Sequence, residues 1–392
     1  MPTRRHVLQT AAAVALTVAR TAARGAAKYD LLVQGGRVID PASQHDAVAD
    51  VAIANGRIAA VGRHLLPADA TEVIDARGRI VSPGLVDIHV HTDADMPPAH
   101  CLATGVTAMV DGGSRGAENV AEIVRLAAAA PNRVRVLLNL GRTGLGSVGE
   151  LLDLANADVA AARRAVEAHP WVIVGIKARL SRNVAGAHDL EAIRRAHQIT
   201  VPLKLTLMVH IGQTVSPLPE ILALLRPGDI VTHMYAPPPN GMLDVNGRVL
   251  PEVREARQRG VVFDVGNGRT AHITWDVAER ALQQDFLPDT ISSDLTAPGR
   301  TDRVFDFPTV LSKFLMLGLS LDQVIARATV NAARAMPPFR DLGTLAVGAP
   351  ADVAVFDLRD GAFEFVDNER TPRSGRQRLV PHAVVLTGRR VV

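Results

Sequence analysis

The chain has 392 residues, of which 47% are hydrophobic and 21% charged, so it can form a large core and is too apolar for a disordered protein. Aromatic residues make up only 3% of it, which argues against a protein that binds nucleic acid by base stacking. The net charge of +3 comes from the N-terminus, because residues 28–392 contain 39 basic and 40 acidic side chains. We therefore expect no binding to nucleic acid and no attraction to anionic membranes.

Residues 1–27 have the features of a twin-arginine signal peptide. Arg4 and Arg5 are followed by an apolar stretch, Ala11–Ala19, and then by small residues at positions 25–27. The apolar stretch is shorter than the roughly 20 residues of a membrane-spanning helix, so we expect no stable membrane insertion. The sequence predicts a periplasmic or otherwise exported protein. The alternative is a cytoplasmic protein with an arginine-rich start.

Both ends of the remaining chain are rich in β-forming residues. Tyr29–Asp40 and Asp50–Gly62 are β-rich, and Asn55-Gly56 is a hairpin turn signal. Ala351–Leu358 and His382–Val392 have the same character near the C-terminus. We expect one small β-sandwich assembled from residues 28–81 and 336–392.

The middle of the chain alternates short apolar strands with alanine-, leucine- and arginine-rich helices, the pattern of parallel βαβ units. The predicted strands are Gly84–His89, Val106–Asp111, Val134–Leu140, Val172–Lys177, Leu205–His210, Ile230–His233, Val261–Val265 and Thr290–Asp294. The clearest predicted helices are Val120–Ala129, Ala157–Ala168, Leu190–His197 and Ile273–Ala281. Eight such units predict an α/β fold with a (β/α)₈ TIM barrel over residues 82–335. An open doubly wound sheet would usually have a glycine-rich loop after its first strand, and residues 82–85 are not one.

Several predicted strands end on side chains that can bind a metal ion. In a TIM barrel the C-terminal ends of the strands converge on one site. The spacing of His89 and His91 places both imidazoles on one face of a strand, where they can bind the same ion. The full set of strand-end residues is His89, His91, Lys177, His210, His233 and Asp294.

The segment from Gly84 to His91, GLVDIHVH, resembles the opening motif of the amidohydrolase superfamily. The resemblance covers essentially the whole chain after the signal, with His, His, Lys, His, His and Asp in the family's order. It implies that His89, His91 and Asp294 bind one metal ion and that His210 and His233 bind a second. It also implies that Lys177, carboxylated by carbon dioxide, bridges the two ions.

The implied chemistry is hydrolysis by a metal-bridged hydroxide, with Asp294 as the catalytic proton shuttle. Imidazole and carboxylate ligands suit zinc, and the expected cofactors are two divalent ions, with Zn²⁺ preferred. Two ions can lower the pKa of a shared water to near neutrality. Carboxylation of Lys177 would explain a lysine among the ligands, because an ammonium group would repel the cations.

Residues 174–179 (VGIKAR), 292–295 (SSDL) and 307–314 (FPTVLSKF) are similar to the deacetylase branch of the superfamily. That branch includes enzymes that deacetylate 2-hydroxy acid esters, and it resembles D-aminoacylases and dihydroorotases. The expected function is hydrolysis of a small acyl ester or amide, with deacetylation of an α-acyloxy or α-acylamino acid preferred. The alternatives are a cyclic amidase of the dihydroorotase or hydantoinase kind and a catalytically silent scaffold. The expected partner is a small-molecule substrate, and a homo-oligomer is left open.

Three further residues are candidates for substrate binding. Arg179 could hold a carboxylate through two parallel hydrogen bonds, although an ordinary salt bridge would also explain it. Asn267 and His272 follow the seventh predicted strand, where either a pocket or a structural role is open. Asn267 stands where the resemblance leads us to expect a histidine in Gly-His-Gly. Cys101 could be a bridging ligand as in D-aminoacylase-like relatives, but with Lys177 available we expect a buried, inert thiol.

Overall fold

The computed structural model describes residues 27–146 and 149–392. The twin-arginine motif and the apolar stretch of the predicted signal peptide lie outside these residues. Within the described part of the chain, no helix is both long enough and apolar enough to cross a membrane.

The described chain begins with five strands of a sheet that the two termini build together. The predicted strand Asp50–Gly62 is two strands of a hairpin, because Asn55-Gly56 turns the chain with positive φ at both residues. The strands are β1 Tyr29–Asp40, β2 His45–Ala54, β3 Arg57–Gly62, β4 Ala70–Asp75 and β5 Ile80–Pro83.

The central part of the chain forms a parallel sheet in which, within the described residues, seven strands pair in simple sequence order. Its residues are almost all buried, as expected for strands covered on both faces. The strands are β6 Leu85–Val90, β7 Val106–Asp111, β8 Arg133–Asn139, β9 Ile173–Arg179, β10 Thr206–His210, β11 Ile230–Thr232 and β12 Val262–Asp264.

The eighth predicted strand, Thr290–Asp294, does not form a regular strand. It joins the two edges of the sheet through single parallel bridges, Asp264 with Thr290 and Val90 with Leu295. Hydrogen bonds from Val265 N to Thr290 O and from Asp294 N to His89 O complete the connection. The backbone of Asp294 has a φ of 47°, a left-handed conformation that interrupts a β ladder. The segment nevertheless lies where the last strand of a closed barrel belongs.

Helices pack around this sheet and bury one apolar face each. Helix α3 begins two residues later than predicted, because the carboxylate of Asp158 caps its N-terminus by accepting from Ala161 N. The helices are α1 Pro98–Leu102, α2 Val120–Ala129, α3 Val159–Ala168, α4 Arg182–Ala185, α5 Asp189–Leu203, α6 Leu218–Leu224, α7 Pro251–Gln258, α8 Trp275–Gln283, α9 Phe307–Met316, α10 Leu321–Ala328 and α11 Val330–Ala335.

The C-terminal strands complete the sheet that β1–β5 began. They are β13 Val353–Val366, β14 Pro372–Leu386 and β15 Arg389–Arg390. The described strands follow the order β15-β14-β13-β5-β1-β2-β3, with β4 beside β1. Strands β13 and β14 extend well beyond the short predicted segments, so the turn between them reaches the barrel. The expected α/β fold, with a barrel and a separate sheet made from both termini, is confirmed.

Candidate metal-dependent active site

The six strand-end residues come together at one end of the barrel. His89 and His91 lie on and just after β6, Lys177 on β9, His210 at the end of β10, His233 just after β11, and Asp294 on the irregular eighth segment. All six side chains are largely buried. The ring centroids of His89 and His91 are 5.3 Å apart, and those of His210 and His233 are 4.2 Å apart.

Asp294 and Lys177 connect the histidines. Asp294 Oδ1 lies 3.1 Å from His91 Nε2 and 3.4 Å from His89 Nε2. Lys177 Nζ lies 2.6 Å from His89 Nε2. The donor atoms of His89, His91 and Asp294 form one compact group, and those of His210, His233 and His272 form another. Each group presents nitrogen or oxygen atoms of the kind that bind zinc and similar ions.

Hydrogen bonds on the outer side of the rings orient three of the histidines. The Thr232 hydroxyl donates to Asp264 and therefore accepts from Nδ1–H of His89, at 3.0 Å. His233 Nδ1–H likewise donates to the carbonyl of Gly266, at 2.7 Å. Each of these bonds assigns the ring proton to Nδ1 and leaves the Nε2 lone pair facing inward, as metal binding requires.

The same arrangement holds His91. Its Nδ1 lies 3.0 Å from the Ser114 hydroxyl, which itself donates to Asp111. Asp111 and Asp264 are fully buried carboxylates that were not singled out from the sequence. Asp111 ends its predicted strand, so the strand-end criterion used for the ligands would have found it, whereas Asp264 lies one residue before the end of the predicted strand Val261–Val265.

Burial and neighbouring groups together determine the ionisation of these side chains. Desolvation lowers the pKa values of His89, His210 and His233 well below the usual range, which favours the neutral form of the ring that binds metal. Burial lowers the pKa of Lys177 to about 7. Burial opposes ionisation of Asp294, but the imidazoles around it, His89 first, outweigh that effect and hold its pKa well below the usual range. The residues present thus fit a metal centre.

The three candidate substrate-binding residues have different surroundings. Arg179 lines the pocket above the cluster and donates to the buried carboxylate of Glu150 at 2.7 Å. His272 also lines the pocket, with Nδ1 3.0 Å from Asp294 Oδ2 and its ring stacked on His233. Asn267 is fully buried, and its side chain bonds to Gly268 O and Lys313 Nζ. The histidine in contact with Asp294 on this loop is therefore at position 272, five residues after the position where one was expected.

The pocket that contains Arg179 and His272 is small and is lined mainly by charged and polar side chains. It has a volume of about 140 Å³. Four of the six strand-end residues line it, His91, Lys177, His210 and Asp294, and its walls also include Leu145, Arg269 and Thr296. Arg269 was not singled out from the sequence, because an arginine in a loop has no periodic or spacing signal. Two guanidinium groups thus stand beside the metal-competent residues.

The turn between β13 and β14 fixes the loop that carries Arg269 and His272. The Asn368 side chain accepts from His272 N and Ile273 N and donates to the carbonyls of Asn267 and Gly268. The backbone N–H of Asn368 also donates to Ile273 O. The terminal sheet therefore holds an active-site loop about 100 positions away in sequence.

Cys101 takes no part in this site. It is buried on α1, where desolvation raises the pKa of its thiol. Its burial is as expected, and the raised pKa disfavours the thiolate, which is the form that binds metal.

The fold and the site together define a metal-dependent hydrolase, and comparison with known proteins supplies the family. The amidohydrolase family model matches residues 253–391. A deacetylase from Enterococcus faecalis is 32% identical over 370 residues, which cover 92% of this chain and 98% of the relative. The chain therefore belongs to the amidohydrolase family.

Solved structures of the same fold include proteins with other named activities. The crystal structure of an adenine deaminase has a TM-score of 0.84 and 31% identity, covering 92% of this chain and 99% of the other. That of a dihydroorotase has a TM-score of 0.83 and 29% identity, covering 93% and 99%. These relatives are named for different reactions, so membership of the family does not by itself identify the substrate.

Proposed function

We propose that this protein removes a small acyl group, acetyl in the first instance, from an acid that carries it on an α-oxygen or α-nitrogen. The observation that carries the proposal is the pairing of Arg179 and Arg269 with the His, Lys and Asp cluster inside one pocket of about 140 Å³. Guanidinium groups bind carboxylates through charge-assisted hydrogen bonds. The small volume suits an acetyl group better than a long acyl chain.

Two divalent ions, zinc by preference, would be held by this chain's own residues. His89, His91 and Asp294 would bind one, and His210 and His233 the other, with Lys177 carboxylated between them. A lysine with a pKa of about 7 is substantially neutral at physiological pH, and the neutral amine is the form that reacts with carbon dioxide. When bound, the ions supply Lewis acidity, which makes water nucleophilic near neutral pH and polarises the scissile carbonyl.

Asp294 is the residue suited to move the proton. Its carboxylate is ionised and lies 3.0–3.1 Å from two imidazoles that open onto the pocket, those of His91 and His272. It can accept a proton from the attacking water and deliver it to the departing oxygen or nitrogen, acting first as base and then as acid.

Arg179 has the features of a preorganised carboxylate binder. Its partner Glu150 is 2% exposed and also accepts from Asn139 Nδ2, so the guanidinium is held in place from behind. Removing the arginine alone would leave a buried carboxylate unpaired and would disturb the fold. The informative variant is therefore the double variant Glu150→Gln/Arg179→Gln. Comparing it with the single variant Glu150→Gln isolates the effect of the arginine.

The test is a panel of O-acetyl 2-hydroxy acids and N-acetyl amino acids, each beside its methyl ester at the carboxyl group. We expect turnover of the free acids and a tenfold or greater preference over the esters. We also expect the double variant to lose roughly 10- to 100-fold in kcat/KM, mainly through KM, as for loss of charge-assisted hydrogen bonds. Arg182→Gln, a nearby exposed arginine, is the matched control. Equal turnover of acids and esters would refute the carboxylate subsite.

A cyclic amidase is the second candidate, favoured by the similarity to the dihydroorotase structure. Dihydroorotate also carries a carboxylate that the two arginines could bind. Dihydroorotate and hydantoins therefore belong in the same panel, and turnover of these rings without deacetylation would replace the first candidate by the second.

A further inference from the structure

A second polar cavity lies behind the active-site loop, between α9, the segment before it and the β13–β14 hairpin. We refer to it as the basic cavity. It has a volume of about 510 Å³, and its walls contain four basic residues and two acidic ones. The basic residues are Arg303, Lys313, Arg370 and Arg378, and the acidic ones are Asp302 and Glu364.

Lys313 is the most unusual residue of this cavity. Its side chain is 1% exposed, yet its ammonium group bonds to two neutral oxygens, Asn267 Oδ1 at 3.2 Å and Arg303 O at 2.6 Å. A buried cation normally has an anionic partner, because desolvation without one is costly. Among the described residues, no carboxylate lies within ion-pair distance of Lys313. The carboxylate that acts on it most strongly is the buried Asp367, which raises its pKa less than burial lowers it and whose oxygens already accept from three backbone N–H groups. Burial lowers the pKa of Lys313 to about 7, and a nearby anion would favour its charged form.

Arg378 is the second cation without an acidic partner. It donates to the Thr309 hydroxyl at 3.2 Å, while its Nε is buried without a hydrogen bond. Thr309 and Lys313 are four residues apart on α9, so they lie on the same face one turn apart. Arg378 and Lys313 therefore both line the wall of the cavity that α9 forms.

The acidic groups of the cavity do not neutralise this pair. Asp302 is already engaged by Arg303, Arg370 and Arg269. Glu364 is exposed on β13. Phe305, Phe363 and Phe365 add apolar surface to the same walls, which suits a ligand that joins an anionic group to an apolar body.

We propose that the basic cavity is a second ligand site, which binds a small organic anion with its carboxylate or phosphate group between Lys313 and Arg378. The site is separate from the active-site pocket. The hydrogen bond from Lys313 to Asn267 joins it to the start of the loop that carries Arg269 and His272. An anion bound there would be in contact with a residue that supports the active-site loop.

Isothermal titration of the full chain with benzoate and with inorganic phosphate, in separate arms at constant ionic strength, tests the proposal. We expect saturable binding of at least one probe, and the stronger arm identifies the preferred anionic group. Lys313→Met and Arg378→Gln should each weaken binding roughly 10- to 100-fold, the loss expected for a charge-assisted hydrogen bond. Arg376→Gln, an exposed arginine on the same strand, should leave it within twofold.

The active-site pocket is the competing location, because it also contains arginines. Arg179→Lys should leave the affinity of the basic cavity unchanged. Binding that falls in Arg179→Lys and persists in Lys313→Met and Arg378→Gln would overturn the proposal, as would the absence of saturable binding of either probe. Arg378→Gln alone decides the matter if Lys313→Met does not fold.

Discussion

Replacing Asn368 by alanine would test whether the terminal sheet positions the catalytic loop. The Asn368 side chain makes four hydrogen bonds to the backbone of residues 267–273, at 2.8–3.3 Å. At a net contribution of about 1 kcal/mol each, with partial replacement by water, their loss should lower the free energy of unfolding by about 2–4 kcal/mol. A displacement of the loop by about 1 Å should reduce kcat/KM about 100-fold.

The assay is urea unfolding together with steady-state kinetics on the best substrate of the panel. Asn368→Asp keeps the acceptor oxygen for His272 N and Ile273 N but loses the two donated bonds, so it should fall between wild type and Asn368→Ala. Glu369→Ala, an exposed position in the same turn, should leave the free energy of unfolding within about 0.5 kcal/mol of wild type and kcat/KM within twofold. A loss of stability in Asn368→Ala with unchanged kcat and KM would refute the positioning role, since it would show that the loop keeps its place without the clamp.

The other expectations concern the site and its surroundings. Asp294→Asn should abolish turnover, by at least 1000-fold, with the circular dichroism spectrum unchanged, and retained activity would remove Asp294 as proton shuttle. Chelation should abolish activity and lower Tm, and zinc with bicarbonate should restore both; full activity in metal-free protein would contradict a metal centre. Gly112→Ala should destabilise the fold and reduce metal binding, because a Cβ there would collide with the His89 ring, and wild-type metal content would refute this. Lys313 has a pKa of about 7 when folded and about 10.4 when unfolded, so the unfolded chain binds the extra proton between these values. The free energy of unfolding of wild type should therefore rise from pH 7 to about 10 relative to Lys313→Met, and parallel pH profiles would refute it.

Much of the site could be predicted from the sequence because, in a barrel, the position of a residue at the end of a strand also fixes where it lies in space. A residue at the C-terminal end of a parallel strand must face the same end of the barrel as its counterparts. His89, Lys177, His210 and Asp294 could therefore be grouped although they span more than 200 positions. The apolar runs that mark the strands are equally local, which is why β7 and α2 have their predicted bounds.

What the sequence could not determine depends on contacts between loops and between the two sheets. The irregular backbone at Asp294 gives no periodic signal, so a regular strand was expected there. Arg269, Asn368 and Lys313 lie outside the barrel strands, and their partners are distant in the chain.

The sequence by itself thus identified the family and grouped six candidate metal ligands, because a repeating pattern of strands places their side chains at strand ends. Only the tertiary structure decided which nearby residues shape the pocket. It places His272 rather than residue 267 beside Asp294, fixes that loop from the C-terminal hairpin, and pairs Arg179 with Glu150. The physical reason is that a buried polar or charged side chain bonds to whichever partner the fold brings within about 3 Å of it. Loop residues follow no sequence period, so the identity of that partner cannot be inferred from the sequence.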